Sequence, residues 1–172
     1  MTSRDQPARL APRQWRDPGV LVASGLGSGF IRPAPGTWGS LAAVVLWWVL
    51  LSELPWPVQA AVVAVTFVVG VALAGYLARR YGVHDDPAIV IDEFAGQWLA
   101  LLAVPPEPLA VACAFGLFRL LDIRKPGPVG WADRRPGGLG VMLDDLLAGG
   151  LAAAVLHLAF LAIGWSGGAA AT

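Results

Sequence analysis

The sequence predicts an all-α, polytopic membrane protein of about five transmembrane helices with its polar site on the cytoplasmic face. Three observations lead there. Of 172 residues, 56% are hydrophobic and 14% charged, whereas soluble domains carry roughly 25% charge, so a water-soluble fold would have too little polar surface. Five stretches contain no Asp, Glu, Lys or Arg: Pro33 to Ser52, Leu54 to Ala78, Phe94 to Pro106, Pro108 to Phe118 and Leu146 to Thr172. Finally, ten of the twelve acids and all twelve Lys and Arg residues fall on one side of the alternating apolar pattern, the exceptions being Glu53 and Glu107.

A transmembrane helix needs roughly 20 mostly apolar residues, and Val58 to Ala78 and Leu146 to Trp165 meet that alone. The other runs must borrow polar residues at their ends or sit shallowly. The expected helices are 38–54, 58–78, 89–104, 108–121 and 146–165. Their connections alternate in charge. The segment before the first helix carries five Arg, Pro55 to Pro57 carries no base, Arg79 and Arg80 follow the second helix, and Pro105 to Glu107 again carries none. Ile123 to Asp145 then holds Arg124, Lys125, Arg134 and Arg135, and the C-terminal tail holds no base. This is the positive-inside pattern at every turn, and it sets the N-terminus in the cytoplasm and the C-terminus outside. Trp47, Trp48, Trp56, Trp98 and Trp165 are candidate interfacial anchors, or ordinary packing residues.

Residues 18–166 form a single integral membrane domain between a disordered cytoplasmic tail at 1–17 and a flexible tail at 167–172. The first seventeen residues hold Arg4, Arg9, Arg13 and Arg16, but a Gly-rich stretch follows where a secretory signal would have an apolar core. Net charge is zero and no basic arm is present, which argues against a nucleic-acid partner. No obligate protein partner is evident. Cys113 is the single cysteine, so no disulfide framework is possible, and its apolar surroundings read as inert packing. His84 and His157 are isolated, and His157 reads as a core residue of the last helix.

Four polar segments carry the candidate chemistry. Asp92 and Glu93 open the third helix in Ile89-Val-Ile-Asp-Glu-Phe-Ala-Gly-Gln97. Two adjacent acids just inside an apolar run either meet a cation or sit against the helix dipole. Phe118-Arg-Leu-Leu-Asp-Ile-Arg-Lys-Pro126 closes the fourth helix, with Arg119 and Asp122 three apart on one face and Lys125 continuing it. Acid and base there suit a metal with an anionic oxygen, or form an intrahelical ion pair. Asp144 and Asp145 follow the Gly-rich loop that begins at Trp131 and includes Asp133, Arg134 and Arg135. Such paired carboxylates could bind Mg²⁺, a hard ion held by oxygen ligands, or cap the last helix. Gly25 to Ser40 is neither a P-loop nor a dinucleotide fingerprint, since Phe30 stands where the third glycine would be. Its glycines either let backbone N–H groups approach a phosphate or make a flexible interfacial loop.

Together these segments resemble the phosphatidylglycerophosphatase A family. The matching stretches are Pro35-Gly-Thr-Trp-Gly-Ser-Leu41, Ile89-Val-Ile-Asp-Glu-Phe94, Phe118 to Pro126, and Asp133-Arg134 followed by Gly137-Gly-Leu-Gly-Val-Met-Leu-Asp-Asp145 with Ala148-Gly149. They run in order along about residues 20 to 165 and are jointly specific. Leu121, where an aromatic is expected, and Gly127, where a larger residue is usual, depart from the pattern without touching the ionic set. The resemblance implies a Mg²⁺-dependent lipid phosphatase of phospholipid metabolism in the bacterial cytoplasmic (inner) membrane, with a phospholipid as its substrate. It would remove the terminal phosphate of phosphatidylglycerophosphate and leave phosphatidylglycerol. On that footing Asp92, Glu93, Asp122, Asp144 and Asp145 are the metal set. Thr37, Ser40, Arg119, Lys125 and Arg134 are the substrate-binding set, and Asp92, Glu93, Asp122 and Asp133 the catalytic set, with Asp133 a base or a further ligand. Phosphate monoesters hydrolyse so slowly that enzymes accelerate them by up to ~10²¹, and concentrated charge is the electrostatic help required.

Two other classes share parts of this pattern. A phospholipid-synthesising transferase would also hold metal-bound acids at the membrane face, but its spaced Asp-Gly, Ala-Arg and Asp signature is missing. A transporter or structural membrane protein would put ionisable groups near the midplane or lack a one-sided cluster.

Overall fold

The computed structural model describes residues 9–84, 86–102 and 104–162. Over these the chain is all-helical: α1 (Pro18–Ala23), α2 (Pro35–Leu50), α3 (Trp56–Tyr81), α4 (Ile91–Leu101), α5 (Pro108–Arg124), α6 (Pro128–Asp133) and α7 (Gly137–Ala162), with short 3-10 turns at Pro12–Arg16 and Ser28–Phe30. Proline in the first turn starts α1, α2, α3, α5 and α6, where its missing N–H costs nothing and its fixed φ already suits a helix. Left-handed residues end two of the long helices: Gly82 at φ +69° after α3, and Lys125 at φ +46° after α5, with Pro126 blocking continuation.

The helix limits differ from those expected. Two helices, α3 and α7, are long and apolar enough to cross a membrane, and α2 is a shorter apolar helix. α4 has 11 residues instead of the span expected over 89–104. α7 begins at Gly137 rather than at 146, so Asp144 and Asp145 lie inside it, and the capping alternative for that pair does not hold. Charge-free length is the wrong ruler here, because α7 continues through two acids and α3 and α5 run on past their first charged residues, while α4 stops at Leu101 ahead of Pro105 and Pro106.

Residues 9–17, expected as disordered tail, are folded. The Leu10 N–H donates to Asp86 Oδ2 at 2.8 Å. Asp17 accepts from the Gly19 N–H and from the hydroxyls of Tyr76 and Tyr81. Cys113 and His157 are exposed, not packed inside. Trp47 is buried and donates to Gln59 Oε1 at 2.8 Å, so it ties α2 to α3 instead of anchoring at an interface. Trp98 donates to the Ala43 carbonyl, whereas Trp48 and Trp56 are exposed. Trp165 and the tail 167–172 lie outside the described residues.

The helices run up and down, so that the starts of α2, α4 and α7 and the ends of α3 and α5 meet at one end of the bundle around a shared cavity. α4 is the central element and packs most extensively on α7. The two cross where neither has a side chain. A Cβ on Gly149 would lie 2.1 Å from the Gly96 carbonyl oxygen, and one on Gly96 would lie 2.5 Å from the Asp145 carbonyl oxygen and 2.6 Å from the Phe118 ring. Small residues at such crossings let backbones approach closely.

Gly149→Ala is therefore expected to destabilise the bundle by about 1–3 kcal/mol, the usual range for overpacking against unyielding atoms. Gly116→Ala on α5, where an added Cβ meets nothing within 4 Å, should be neutral or slightly stabilising through helix propensity. Thermal unfolding of both variants in detergent checks this; equal melting temperatures would show that the crossing tolerates a methyl group.

Candidate functional site

A cavity of about 510 Å³ opens at the end of the bundle where these termini meet. α2 supplies Gly36, α4 Asp92 and Glu93, α5 Arg119 and Asp122, and α7 Asp144 and Asp145. Lys125 at the end of α5, Asp133 at the end of α6, Arg135 in the next loop, and His84 and Asp86 from the connection between α3 and α4 complete its polar lining. Within these helices the acids and bases lie near this end, and so a bundle that is apolar elsewhere brings seven carboxylates together in one chamber.

Two bases organise the acids. Arg119 Nη1 lies 2.7 Å from Asp122 Oδ2, one turn along the same helix, and 3.6 Å from Glu93 Oε1 on α4. It also donates to Ser40 Oγ at 3.4 Å, and the Ser40 hydroxyl donates to the Gly36 carbonyl at 2.9 Å. Lys125 Nζ bridges Asp133 Oδ1 and Asp144 Oδ2, the latter at 2.6 Å. Burial alone would lower the Lys125 pKa, but the hydrogen bonds to Asp133 and Asp144 outweigh it and hold the ammonium above its ordinary value. Its left-handed backbone, unusual for a side-chain-bearing residue, turns the chain from α5 toward α6 at the point where Nζ reaches back to α7.

The acids outnumber these bases. Asp92, Glu93 and Asp145 each offer an oxygen within 4.8 Å of the others, and so do Asp122, Asp144 and Asp145. Asp145 belongs to both groups. Buried carboxylate charges need partners, yet Glu93 Oε2 and Asp144 Oδ1 are buried without a hydrogen bond. Converging oxygen donors with free lone pairs are what a hard divalent cation such as Mg²⁺ uses, and the donor set fits such an ion.

Most of the predicted residues converge. Asp92, Glu93, Arg119, Asp122, Lys125, Asp133, Asp144 and Asp145 all line the cavity. Ser40 stands behind it as a partner of Arg119. Thr37 and Arg134 are not among the lining residues, and Arg134 is exposed. The lining instead includes Arg135, whose guanidinium carbon sits 4.2 Å from the centre of the Trp131 ring. The glycines at 25, 27 and 29 do not line the cavity either; the close backbone approach falls to Gly36, where a Cβ would lie 2.0 Å from Glu93 Oε1. His84 also lines the chamber, and Gln97, one turn beyond Glu93, is fully buried with neither amide atom hydrogen-bonded. Sequence reading placed Gly36 in a candidate segment but did not single out His84, Asp86, Gln97 or Arg135 as site residues. Of those four, Gln97 carried a signal, as a polar residue at the i+4 position from an acid on a buried helix.

The family profile described as Phosphatidylglycerophosphatase A matches residues 21–160. A protein from Escherichia coli (strain K12) named phosphatidylglycerophosphatase A is 44% identical over 143 residues, 82% of this chain and 83% of its own. One of the same name from Haemophilus influenzae is 44% identical over 130 residues, 74% of this chain and 80% of its own. A Bacteroides thetaiotaomicron protein with the provisional name phosphatidylinositol-3-phosphatase is 44% identical over 138 residues, 76% of this chain and 86% of its own. No solved structure matches the chain.

Lys125→Met is expected to leave Asp144 unpaired and lower stability at neutral pH. The loss should be about 1–2 kcal/mol, less than for a fully buried pair because 34% of the Lys125 side chain is exposed. A lysine whose folded pKa exceeds its ordinary 10.5 contributes fully below that pH and loses its contribution as pH rises through the folded value. The stability gap between variant and wild type should thus be constant through neutral pH and close only in strong alkali, which denaturation at stepped pH reads directly; a gap that closes between pH 6 and 9 would contradict the assignment.

Proposed function

Because the chain belongs to the phosphatidylglycerophosphatase A family, we infer that it is a lipid phosphatase that hydrolyses phosphatidylglycerophosphate to phosphatidylglycerol and inorganic phosphate. The observation that carries the reading is the coincidence of a family match over 21–160 with one chamber in which seven carboxylates and three lysine or arginine side chains from five helices and their loops meet. The reaction breaks the bond between phosphorus and the glycerol oxygen, forms one to an oxygen from water, and leaves a proton on the glycerol oxygen. Arg119 and Lys125 supply donors for the phosphoryl oxygens; neither can accept a hydrogen bond, and their carboxylate partners fix where those donors point. Ser40 and Gly36 hold Arg119 and Glu93 in register from behind. Asp133 is the most solvent-exposed of these acids and the one suited to exchange a proton between the chamber and water.

The proposal includes Mg²⁺, held by Asp92, Glu93, Asp122, Asp144 and Asp145 with Asp145 shared. When bound, the ion would supply positive charge against the phosphoryl oxygens. The buried, unpaired oxygens of Glu93 and Asp144 support this part of the reading.

The proposal also sets the bundle in the cytoplasmic membrane with the site facing the cytoplasm. α3 and α7, at 26 residues each, are about 39 Å long and exceed the ~30 Å hydrocarbon core. α2 and α5, with 16 and 17 residues, nearly reach across, whereas α4 is enclosed among them; these are the five helices of the proposed multi-pass arrangement. Arg79, Arg80, Arg124, Lys125, Arg134 and Arg135 gather at the site end, and Glu53 and Glu107 at the other, which is the positive-inside distribution.

Two experiments test the reading. Purified protein should release phosphate from phosphatidylglycerophosphate faster than from phosphatidylinositol 3-phosphate. A chelator should stop the reaction and Mg²⁺ restore it, and Asp145→Asn should raise the Mg²⁺ needed for half activity at least tenfold or abolish turnover. A preference for the inositol lipid would reassign the substrate, and an Asp145→Asn enzyme with unchanged Mg²⁺ response would remove the metal role. For orientation, a tag after Thr172 should be reached by an impermeant reagent in intact cells and a tag before Met1 should not; a protected C-terminus defeats the topology.

A further inference from the structure

Among the described residues Arg135 is the one cavity-lining lysine or arginine without a carboxylate partner, since Arg119 and Lys125 are both engaged by acids. It is nevertheless held. Its guanidinium lies over the Trp131 ring at 4.2 Å, and its N–H donates to the Ala132 carbonyl at 2.8 Å. Its carbonyl packs so closely on α7 that a Cβ on Gly140 would come within 1.9 Å of it. Stacking on an aromatic face fixes a guanidinium while leaving its N–H edges free to donate. Arg135 thus offers an oriented anion site at the exposed rim, and the carboxylates and their two engaged bases lie further along the same lining.

The lipid proposed above carries two phosphates: a terminal monoester, which is the group removed, and a phosphodiester that remains in the product. We infer that Arg135, seated on Trp131, is a specificity residue that binds the phosphodiester while the interior of the chamber takes the monoester. The inference rests on the phosphatidylglycerophosphatase reading and deepens it. A headgroup would be gripped at two points, and a lipid with a diester alone would still occupy the rim.

Competitive inhibition of phosphate release in neutral detergent micelles separates the two points. Phosphatidylglycerol presents the diester alone and inorganic phosphate stands in for the monoester. Loss of a charge-assisted contact is commonly worth about a tenfold change. Arg135→Ala should therefore raise the inhibition constant for phosphatidylglycerol, and KM for the substrate, about tenfold, while the constant for inorganic phosphate changes less than about twofold. Arg135→Lys, which keeps the charge but not the planar stack, and Trp131→Leu, which removes the seat, should fall between. Equal weakening of both inhibitors, an unchanged constant for phosphatidylglycerol, or no inhibition of wild type by phosphatidylglycerol would each overturn the inference. Absence of phosphate release by the wild type would instead defeat the functional reading beneath it.

Discussion

The contact on which the site depends is the crossing of α4 and α7 at Gly96 and Gly149. Because neither helix has a side chain there, the backbones approach until each glycine faces the other helix's carbonyl oxygens. This brings Asp92 and Glu93 at the start of α4 within reach of Asp145 on α7. A methyl group at either glycine would push the two helices apart and with them the two halves of the carboxylate cluster. The crossing sets the distance between acids, and the acids in turn set what the chamber can hold.

That closeness has an electrostatic cost, which explains the arrangement of the bases. Carboxylates packed this tightly repel one another and lose hydration. Arg119 meets the cost on the α2 and α4 side through Asp122, Glu93 and Ser40, and Lys125 on the α6 and α7 side through Asp133 and Asp144. Neither base touches every acid, and the two oxygens left over, on Glu93 and Asp144, come from different carboxylate groups. Each of those two carboxylates already has a base on its other oxygen, so what the second oxygen lacks is a donor or ligand partner, and a divalent cation would supply one. Gly36 belongs to the same balance: with Glu93 Oε1 occupying the space a Cβ would need, the first turn of α2 acts as a wall that keeps that carboxylate directed at Arg119.

The sequence disclosed the ionic set better than the helices that carry it. In a chain with 14% charged residues, each acid in an apolar run stands out, and one-sided charge follows from the cost of moving ions across lipid. Eight of the candidate residues therefore line one cavity. Helix limits were less legible because composition does not report where proline and glycine interrupt a run, or that α7 absorbs Asp144 and Asp145 once the partners from α4 and α5 are present. Arg134 and Arg135 are indistinguishable as letters. Which of them enters the chamber is decided by the short helix α6, the Trp131 ring and the close contact at Gly140, all of them tertiary facts. Thr37 shows the same limit, since it lies between Gly36 and Ser40 on α2 but not on the face those two share.

Helix length connects the chamber to the bilayer. On the proposed orientation, α7 has about 39 Å of described helix against ~30 Å of hydrocarbon, so its first turns, from Gly137, stand outside the core. Asp144 and Asp145, about two turns in from that end, then sit near the level where lipid headgroups meet the acyl chains instead of at the costly midplane. A phospholipid with its chains in the bilayer carries its phosphates at that same level. It can bring them to the mouth of the chamber by lateral movement, without leaving the membrane, and the acids can bind an ion drawn from the aqueous side. The crossing that concentrates the carboxylates and the depth at which α7 holds them thus meet a single requirement, which is to bring a hard, charged reaction to a lipid substrate at the edge of an apolar solvent.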